Sequence, residues 1–338
     1  MYNSSVLNLG PLRLDPPLLL APMAGVTDLS FRLLNRRFGC PFAYSEMISD
    51  RSLSHNNRQA LERLRGTPED RPFGIQLLGN DADLLAEALE KLEPRPYDLL
   101  DLNAACPAKQ ITRKGEGAAL MREPEKLEGL LTALVKRAPV PVTVKIRTGW
   151  DADEVNAVEV ARRAEGAGVC AVIIHGRTRA QGYSGAVDFA TVRAVKEAVG
   201  VPVVASGDAF TPETVGRWFA ETGCDGVAVA RGAMGNPWIF RGAAALLSGE
   251  EPSPPSVAER LSVMEEHLAL AVETWGEPRG CLVFRKFFYW YTRGMREVRA
   301  LRARSNRAAA RAELEELIAG VRAANGTPLT SDAGGAII

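Results

Sequence analysis

The chain has 338 residues, 46% of them apolar, with 41 basic and 41 acidic side chains that cancel to a net charge of zero. That length exceeds what one hydrophobic core usually fills, so a large domain with a smaller second one is expected, and bulk charge alone predicts no affinity for a polyanion. No apolar run nears the ~20 residues of a membrane span, no signal-peptide pattern opens the chain, and the five scattered cysteines lack metal-ligand spacing, which predicts a soluble cytoplasmic protein with reduced thiols and no metal.

Taken in order, eight short runs rich in Val, Ile and Leu read as strands: 18–22, 43–47, 73–78, 98–103, 140–146, 170–175, 201–206 and 226–230. Most are continuously apolar rather than alternating, which is how strands covered on both faces of a parallel sheet read. Helical stretches lie between them, with start signals at Thr27-Asp28, Asp81, Asp153 and Thr211-Pro212. Eight strand-helix alternations in about 250 residues predict an α/β fold, a (β/α)8 TIM barrel over residues 1–250, with a doubly wound open sheet as the alternative. The Pro-rich stretch Glu251–Pro255 then reads as a linker. Ser256-x-x-Glu259 is a capping box that opens a C-terminal all-helical domain over 256–325, and residues 326–338 read as a disordered tail.

Charge is unevenly spread. Between Arg279 and Arg311 ten basic residues face one acid, Glu297, a stripe suited to an RNA backbone. Beside it lies the aromatic run Phe287–Tyr291, of which at least half is expected in a helical core because consecutive helix positions point all ways. His267, near Glu265 and Glu266, is expected on a solvated face.

In a barrel of this type chemistry sits at the C-terminal ends of the strands. Those ends carry Gln76, Asn103, Lys145, His175, Ser206-Gly207-Asp208 and Ala230-Arg231-Gly232. The last two triplets follow strands seven and eight, where barrels commonly cradle a phosphate, although tight turns that need Gly explain them too. Buried Lys145 and His175 need partners that an anionic ring system would supply, and Gln76 and Asn103 suit the edge of a flat heterocycle. Cys106 lies just past a strand end before Pro107. As a thiol it can deliver a proton, and as a thiolate favoured by Lys109, Arg113 and Lys114 it could act as a nucleophile. Cys170 and Cys224, at strand starts, read as small buried hydrophobes.

The segment Leu102-Asn103-Ala104-Ala105-Cys106-Pro107, followed by Arg113-Lys114-Gly115-Glu116-Gly117, resembles the signature of the tRNA-dihydrouridine synthases. So do Ala21–Asp28, Gln76-Leu77, Val144–Arg147, His175–Arg179, Ala230–Ala233, Gly235–Trp238 and Arg285-Lys286, in the same order along nearly the whole chain. The resemblance implies a monomeric FMN flavoenzyme that reduces the C5=C6 bond of uridine in tRNA and is recharged by NADPH or NADH. The flavin passes a hydride to C6, and Cys106 protonates C5. It further implies that Pro22, Met23, Ala24, Gln76, Lys145, His175, Ser206, Gly207, Asp208, Ala230, Arg231 and Gly232 hold the cofactor. Asn103, Lys109, Arg177, Arg179, Arg285 and Lys286 would meet the RNA. The chain departs from the family in Ser206, where Asn is usual, and in Ala104-Ala105 before the cysteine. Reduction of a small enone or pyrimidine, reduction of uridine in another RNA, and flavin-dependent RNA chaperoning without chemistry are the alternatives.

Overall fold

The computed structural model describes residues 6–93 and 95–325, so the tail expected at 326–338 lies outside the described residues. Two short strands that the sequence reading did not anticipate, β1 (Leu7–Leu9) and β2 (Leu12–Leu14), form an antiparallel hairpin that turns at Gly10, where φ is +59°. Eight parallel strands follow: β3 (Leu18–Leu20), β4 (Ala43–Ser49), β5 (Phe73–Leu78), β6 (Leu99–Asn103), β7 (Val142–Arg147), β8 (Ala171–His175), β9 (Val203–Ser206) and β10 (Gly226–Val229). They pair in sequence order, and β10 closes on β3, so the sheet is a closed barrel with helices between the strands. The open-sheet alternative is thereby excluded.

Because successive strand residues point to opposite faces, register decides what fills the barrel. Leu99, Asp101 and Asn103 share one face of β6, and Thr143, Lys145 and Arg147 share one face of β7. At the lower end Leu19, Tyr44, Leu99, Ile173, Val204 and Ala228 pack into one cluster, and Leu7, Leu9 and Leu14 of the hairpin pack into it as well. A fully buried Leu contributes about 1.5–3 kcal/mol, so the hairpin is a plug that removes the apolar lower end from water. Tyr44 fits inside because its neighbour on β5 is Gly74, where a Cβ would lie 2.6 Å from the Tyr44 ring. Towards the upper end the filling turns polar, and that change of layer positions the chemistry.

The caps follow the sequence at three of four expected starts. Asp28, Asp81 and Thr211 each accept a backbone N–H in the first turn of their helices, and Pro212 occupies the first position after Thr211. Asp153 does not cap. The carboxylate of Asp151 takes the amides of Asp153 and Glu154 at 3.0 and 3.1 Å into a turn, and the helix begins later, at Ala157.

The described residues divide into two compact units, one containing the chain through Ala233 with Pro237–Ser253, the other Met234–Asn236 with the chain from Pro254. The second unit is helical: Val257–Trp275, Glu277–Tyr291, Arg299–Ser305 and Arg311–Asn325. Ser256 caps the first of these through the Glu259 amide. Phe287, Phe288 and Tyr291 are buried in this unit, while Tyr289 is half exposed. His267 is not on a solvated face. It is fully buried against Phe284 and Phe287, with Nδ1 3.2 Å from the Tyr291 hydroxyl, and burial pushes its pKa down to about 3, so the ring is neutral. Helical period places it on the same face as Met264 and Leu268, whatever its acidic chain neighbours. No helix among the described residues is long and apolar enough to cross a membrane.

Candidate active site

A run of buried hydrogen bonds crosses the barrel interior from its lower layer to its mouth. The Tyr44 hydroxyl lies 3.0 Å from Thr143 Oγ1, which donates to Asp101 Oδ1 at 2.6 Å. Gln76 Nε2 donates to Asp101 Oδ2 at 2.7 Å, and Asn103 Nδ2 donates to Gln76 Oε1 at 2.8 Å. Asn103 Oδ1 accepts the backbone amides of Ala105 and Cys106 at 3.0 and 2.8 Å. The ionised carboxylate of Asp101 can only accept, which fixes the Gln76 amide; Gln76 then fixes Asn103, and Asn103 fixes the turn that carries the cysteine. Five side chains thus tie the position of Cys106 to the rigid sheet.

Cys106 is half-buried, and burial raises its thiol pKa above the ordinary value of 9.0, against weaker opposing effects of a backbone hydrogen bond at Ala108 and the charge of Arg147. Such a thiol is protonated at neutral pH. Of the two roles open to it, proton donor therefore suits this environment better than thiolate nucleophile. Lys145 is buried, and desolvation with the nearby Arg147 charge pushes its ammonium down to about 8, partly restored by Asp101. His175 is held well below the usual histidine range by burial, then by Lys145, Arg147, Arg177 and Arg231, so its imidazole is neutral. Its Nε2 is buried with no hydrogen-bond partner among the described residues.

One close backbone approach lies beside that orphan nitrogen, and a second follows β10. Gly207 has φ +125°, and a Cβ there would stand 2.9 Å from Val187 and 3.6 Å from His175 Nε2. A Cβ on Gly232 would lie 1.8 Å from the Ala209 carbonyl. Arg231 stands over the exposed Tyr183 ring at 4.8 Å and the Phe210 ring at 5.3 Å, and its one ion pair among the described residues is a 3.6 Å contact to Asp208. An unpaired buried nitrogen, a partly discharged lysine and a lightly engaged arginine beside glycine turns fit a flat, phosphate-bearing aromatic ligand. Ser206 ends β9 buried, Ala230 follows β10, and Pro22, Met23 and Ala24 form a half-exposed turn after β3 held by the Met23 amide on Thr27 Oγ1.

Several of the expected contact residues also have partners within the protein. Arg177 is buried with both Nη atoms on the Asp208 carboxylate, at 2.9 and 2.5 Å, and further donors on the carbonyls of Ser184 and Gly185. It therefore clamps two loops with four of its five N–H donors, leaving one Nη1 hydrogen without a partner among the described residues, and the Asp208 carboxylate orients it. Arg285 bonds the carbonyls of Ala308, Asn306 and Arg307 at 2.7, 3.1 and 3.4 Å, so it fastens a turn of the helical unit. In the basic stripe Arg304 and Arg311 pair with Glu316 and Glu315 of the last helix, reducing the free positive charge. Lys109 is exposed. The sequence reading missed Arg147, buried with Nε on the Ala105 carbonyl at 2.6 Å and one Nη on the carbonyls of Thr178 and Gly182 at 2.9 Å. It also missed Asp101, two residues before Asn103 on the same inward face, a spacing that could have flagged it.

Comparison with known proteins agrees over most of the chain. The family model for dihydrouridine synthase (Dus) matches residues 19–325. tRNA-dihydrouridine synthase B of Pseudomonas aeruginosa is 41% identical over 90% of this chain and 92% of that protein. A probable tRNA-dihydrouridine synthase of Rhodobacter capsulatus is 42% identical over 84% of this chain and 89% of its own. Among solved structures, histamine dehydrogenase from Rhizobium sp. 4-9 superposes with a TM-score of 0.54 at 13% identity, over 80% of this chain and 51% of that one, a likeness of fold alone.

Proposed function

Because the chain belongs to the dihydrouridine synthase family, we propose that it reduces the C5=C6 bond of uridines in tRNA, using bound FMN recharged by NADPH or NADH, with Cys106 protonating C5. The observation that carries this reading is the placement of Cys106: a half-buried, protonated thiol at the upper end of the barrel, fixed through its own amide by Asn103. When bound, FMN supplies the reducing equivalents, so the protein has to provide orientation, a proton and exclusion of water.

His175 Nε2 and Lys145 are the side chains with unused capacity for the ring system, and Arg231 with the Gly207 and Gly232 turns suits the phosphate. Gln76 and Asn103 divide their amides between the network and the ligand. Gln76 Nε2 spends one hydrogen on Asp101, and Asn103 Nδ2 spends one on Gln76, while Asn103 Oδ1 is fully occupied by two backbone amides. Gln76 has one N–H left, and the second N–H of Asn103 meets only the weak acceptor Met47 Sδ at 3.6 Å, so the pair can present donors to the carbonyl oxygens of a pyrimidine or flavin edge. A base inside folded RNA must turn outward to reach the mouth, at a cost of a few kcal/mol, and contacts between the basic helical unit and backbone phosphates can offset it.

The test is direct. The purified protein should be yellow, and tRNA from a strain lacking the gene should lose dihydrouridine at one or more positions, restored by the gene. Unaltered tRNA with a loss confined to another RNA, or activity on free uracil equal to that on tRNA, would overturn the reading.

A further inference from the structure

A second cavity, of about 590 Å³, lies on the far side of the cysteine loop, bounded by Thr112, Arg113, Arg122, Trp150, Glu154 and Arg179 among others. That volume is within the usual range of small-ligand sites, roughly 300–1,000 Å³. Its walls come from the loops that follow β6, β7 and β8, and one of them is shared with the active site. The Ala118 amide bonds the Cys106 carbonyl at 3.0 Å, and a Cβ on Gly117 would come within 3.0 Å of the Cys106 Cβ, while Thr112 and Ala119 of the same segment face the cavity.

The cavity is prearranged by its backbone. A Cβ on Gly149 would fall 2.0 Å from the Glu154 carbonyl, so the 149–154 loop closes on itself, with the Trp150 amide on the Glu154 carbonyl at 2.9 Å. Arg179 and Ala180 donate their amides to Gly149 and Trp150 at 2.8 Å, which locks the β8 loop to the β7 loop. The Arg179 guanidinium then stacks on Trp150 at 4.3 Å, and that of Arg122 stands 5.1 Å from the same ring.

Charge inside the cavity is not balanced. Arg122 is paired with Glu154 at 3.0 Å, and Glu123 lies 3.8 Å from Lys126. Arg179 has only a 3.4 Å contact with Thr112 Oγ1, and its Nε is buried without a partner. Arg113 makes no side-chain hydrogen bond or ion pair among the described residues. Two guanidinium groups with spare donors lining one cavity match the tetrahedral oxygens of a phosphate better than a carboxylate or a neutral group.

We propose that this cavity is a nucleotide-phosphate subsite, in which Arg179 and Arg113 grip a phosphate of the RNA strand beside the uridine presented to Cys106. The proposal rests on the function proposed above. A phosphate of NADPH has the same chemistry, so the experiment separates the two sources.

Holoenzymes carrying Arg179→Gln, Arg113→Gln and both changes, each with the wild-type flavin spectrum, are titrated with unmodified tRNA transcript at several salt concentrations. Each phosphate neutralised contributes roughly 0.7 to 0.9 to the slope of log affinity against log salt, so the double variant, which loses the grip on one phosphate, should show a slope shallower by about that amount. It should also show a KM for tRNA raised about tenfold or more, and flavin reduction by NADPH without RNA should run at equal rates in variant and wild type. An unchanged slope overturns the proposal. Slowed reduction by NADPH but not by NADH, with the slope unchanged, assigns the cavity to the dinucleotide and overturns the RNA assignment. A wild-type protein that binds tRNA yet forms no dihydrouridine fails the proposed function instead, and the slope remains readable.

Discussion

Asp101 is fully buried, and burial raises its carboxyl from the ordinary 3.8 to about 6, with the hydrogen bonds from Thr143 and Gln76 and the charge of Lys145 recovering only part of the desolvation cost. The sign is opposite to that of a salt-bridged carboxylate: the folded state holds the proton more tightly than the unfolded chain. The native protein therefore loses stability as pH rises from about 4 to about 6 and stays penalised above. At about 1.36 kcal/mol per pH unit, a separation of two units is worth about 3 kcal/mol. Asp101→Asn removes the titration and replaces it with a difference that does not vary with pH, since the new amide can still accept from Gln76 and donate to Thr143. Lys145, displaced to about 8, titrates above this window. Melting of variant and wild type, compared at pH 4 and pH 7, should show the variant gaining most of that difference, about 2.5 kcal/mol, on the wild type across the range. For a barrel of this size that is about 5 °C in relative Tm. Parallel melting curves, or a wild type that gains on the variant with rising pH, would refute the assignment of a desolvated charge at the centre of the network.

Gly232→Ala should cost about 2 kcal/mol or more and release the cofactor, because its Cβ would overlap the Ala209 carbonyl; flavin retention after gel filtration and a melt check both. Arg285→Ala should lower the melting temperature together with RNA affinity, since its three carbonyl contacts hold a turn. Lys286→Ala should weaken RNA binding and flatten its salt dependence by roughly 0.7 to 0.9, with a smaller drop in the melt than Arg285→Ala. If the two variants behave alike in both assays, the division between fastening and contact residue is wrong.

All eight barrel strands were legible because a strand covered on both faces reads as an unbroken apolar run, and each boundary fell within two residues of the observed one. The β1–β2 hairpin was not, because three-residue strands such as Leu7–Leu9 and Leu12–Leu14 carry too few residues for alternation to stand out. The chemical residues at strand ends were legible from topology, since a barrel concentrates function there. Their occupancy was not. Whether Arg177 faces a ligand or a neighbouring aspartate depends on where the loop at 184–185 folds back, and nothing in the local sequence of either segment announces it. For the same reason Arg147 was not legible, since its carbonyl partners lie on the loops after the neighbouring strands, whereas Asp101 shares the inward spacing of Asn103. His267 misled through its chain neighbours, while the helix period that buries it was present in the same segment.

The account depends above all on the Cys106 thiol as the proton source, and one measurement addresses that alone. Cys106→Ala holoenzyme, with its flavin reduced beforehand and excess unmodified tRNA added, should retain its flavin and bind RNA as the wild type does, while dihydrouridine forms in a single turnover about 10²-fold more slowly or worse. Product appearing at the wild-type rate would contradict the account.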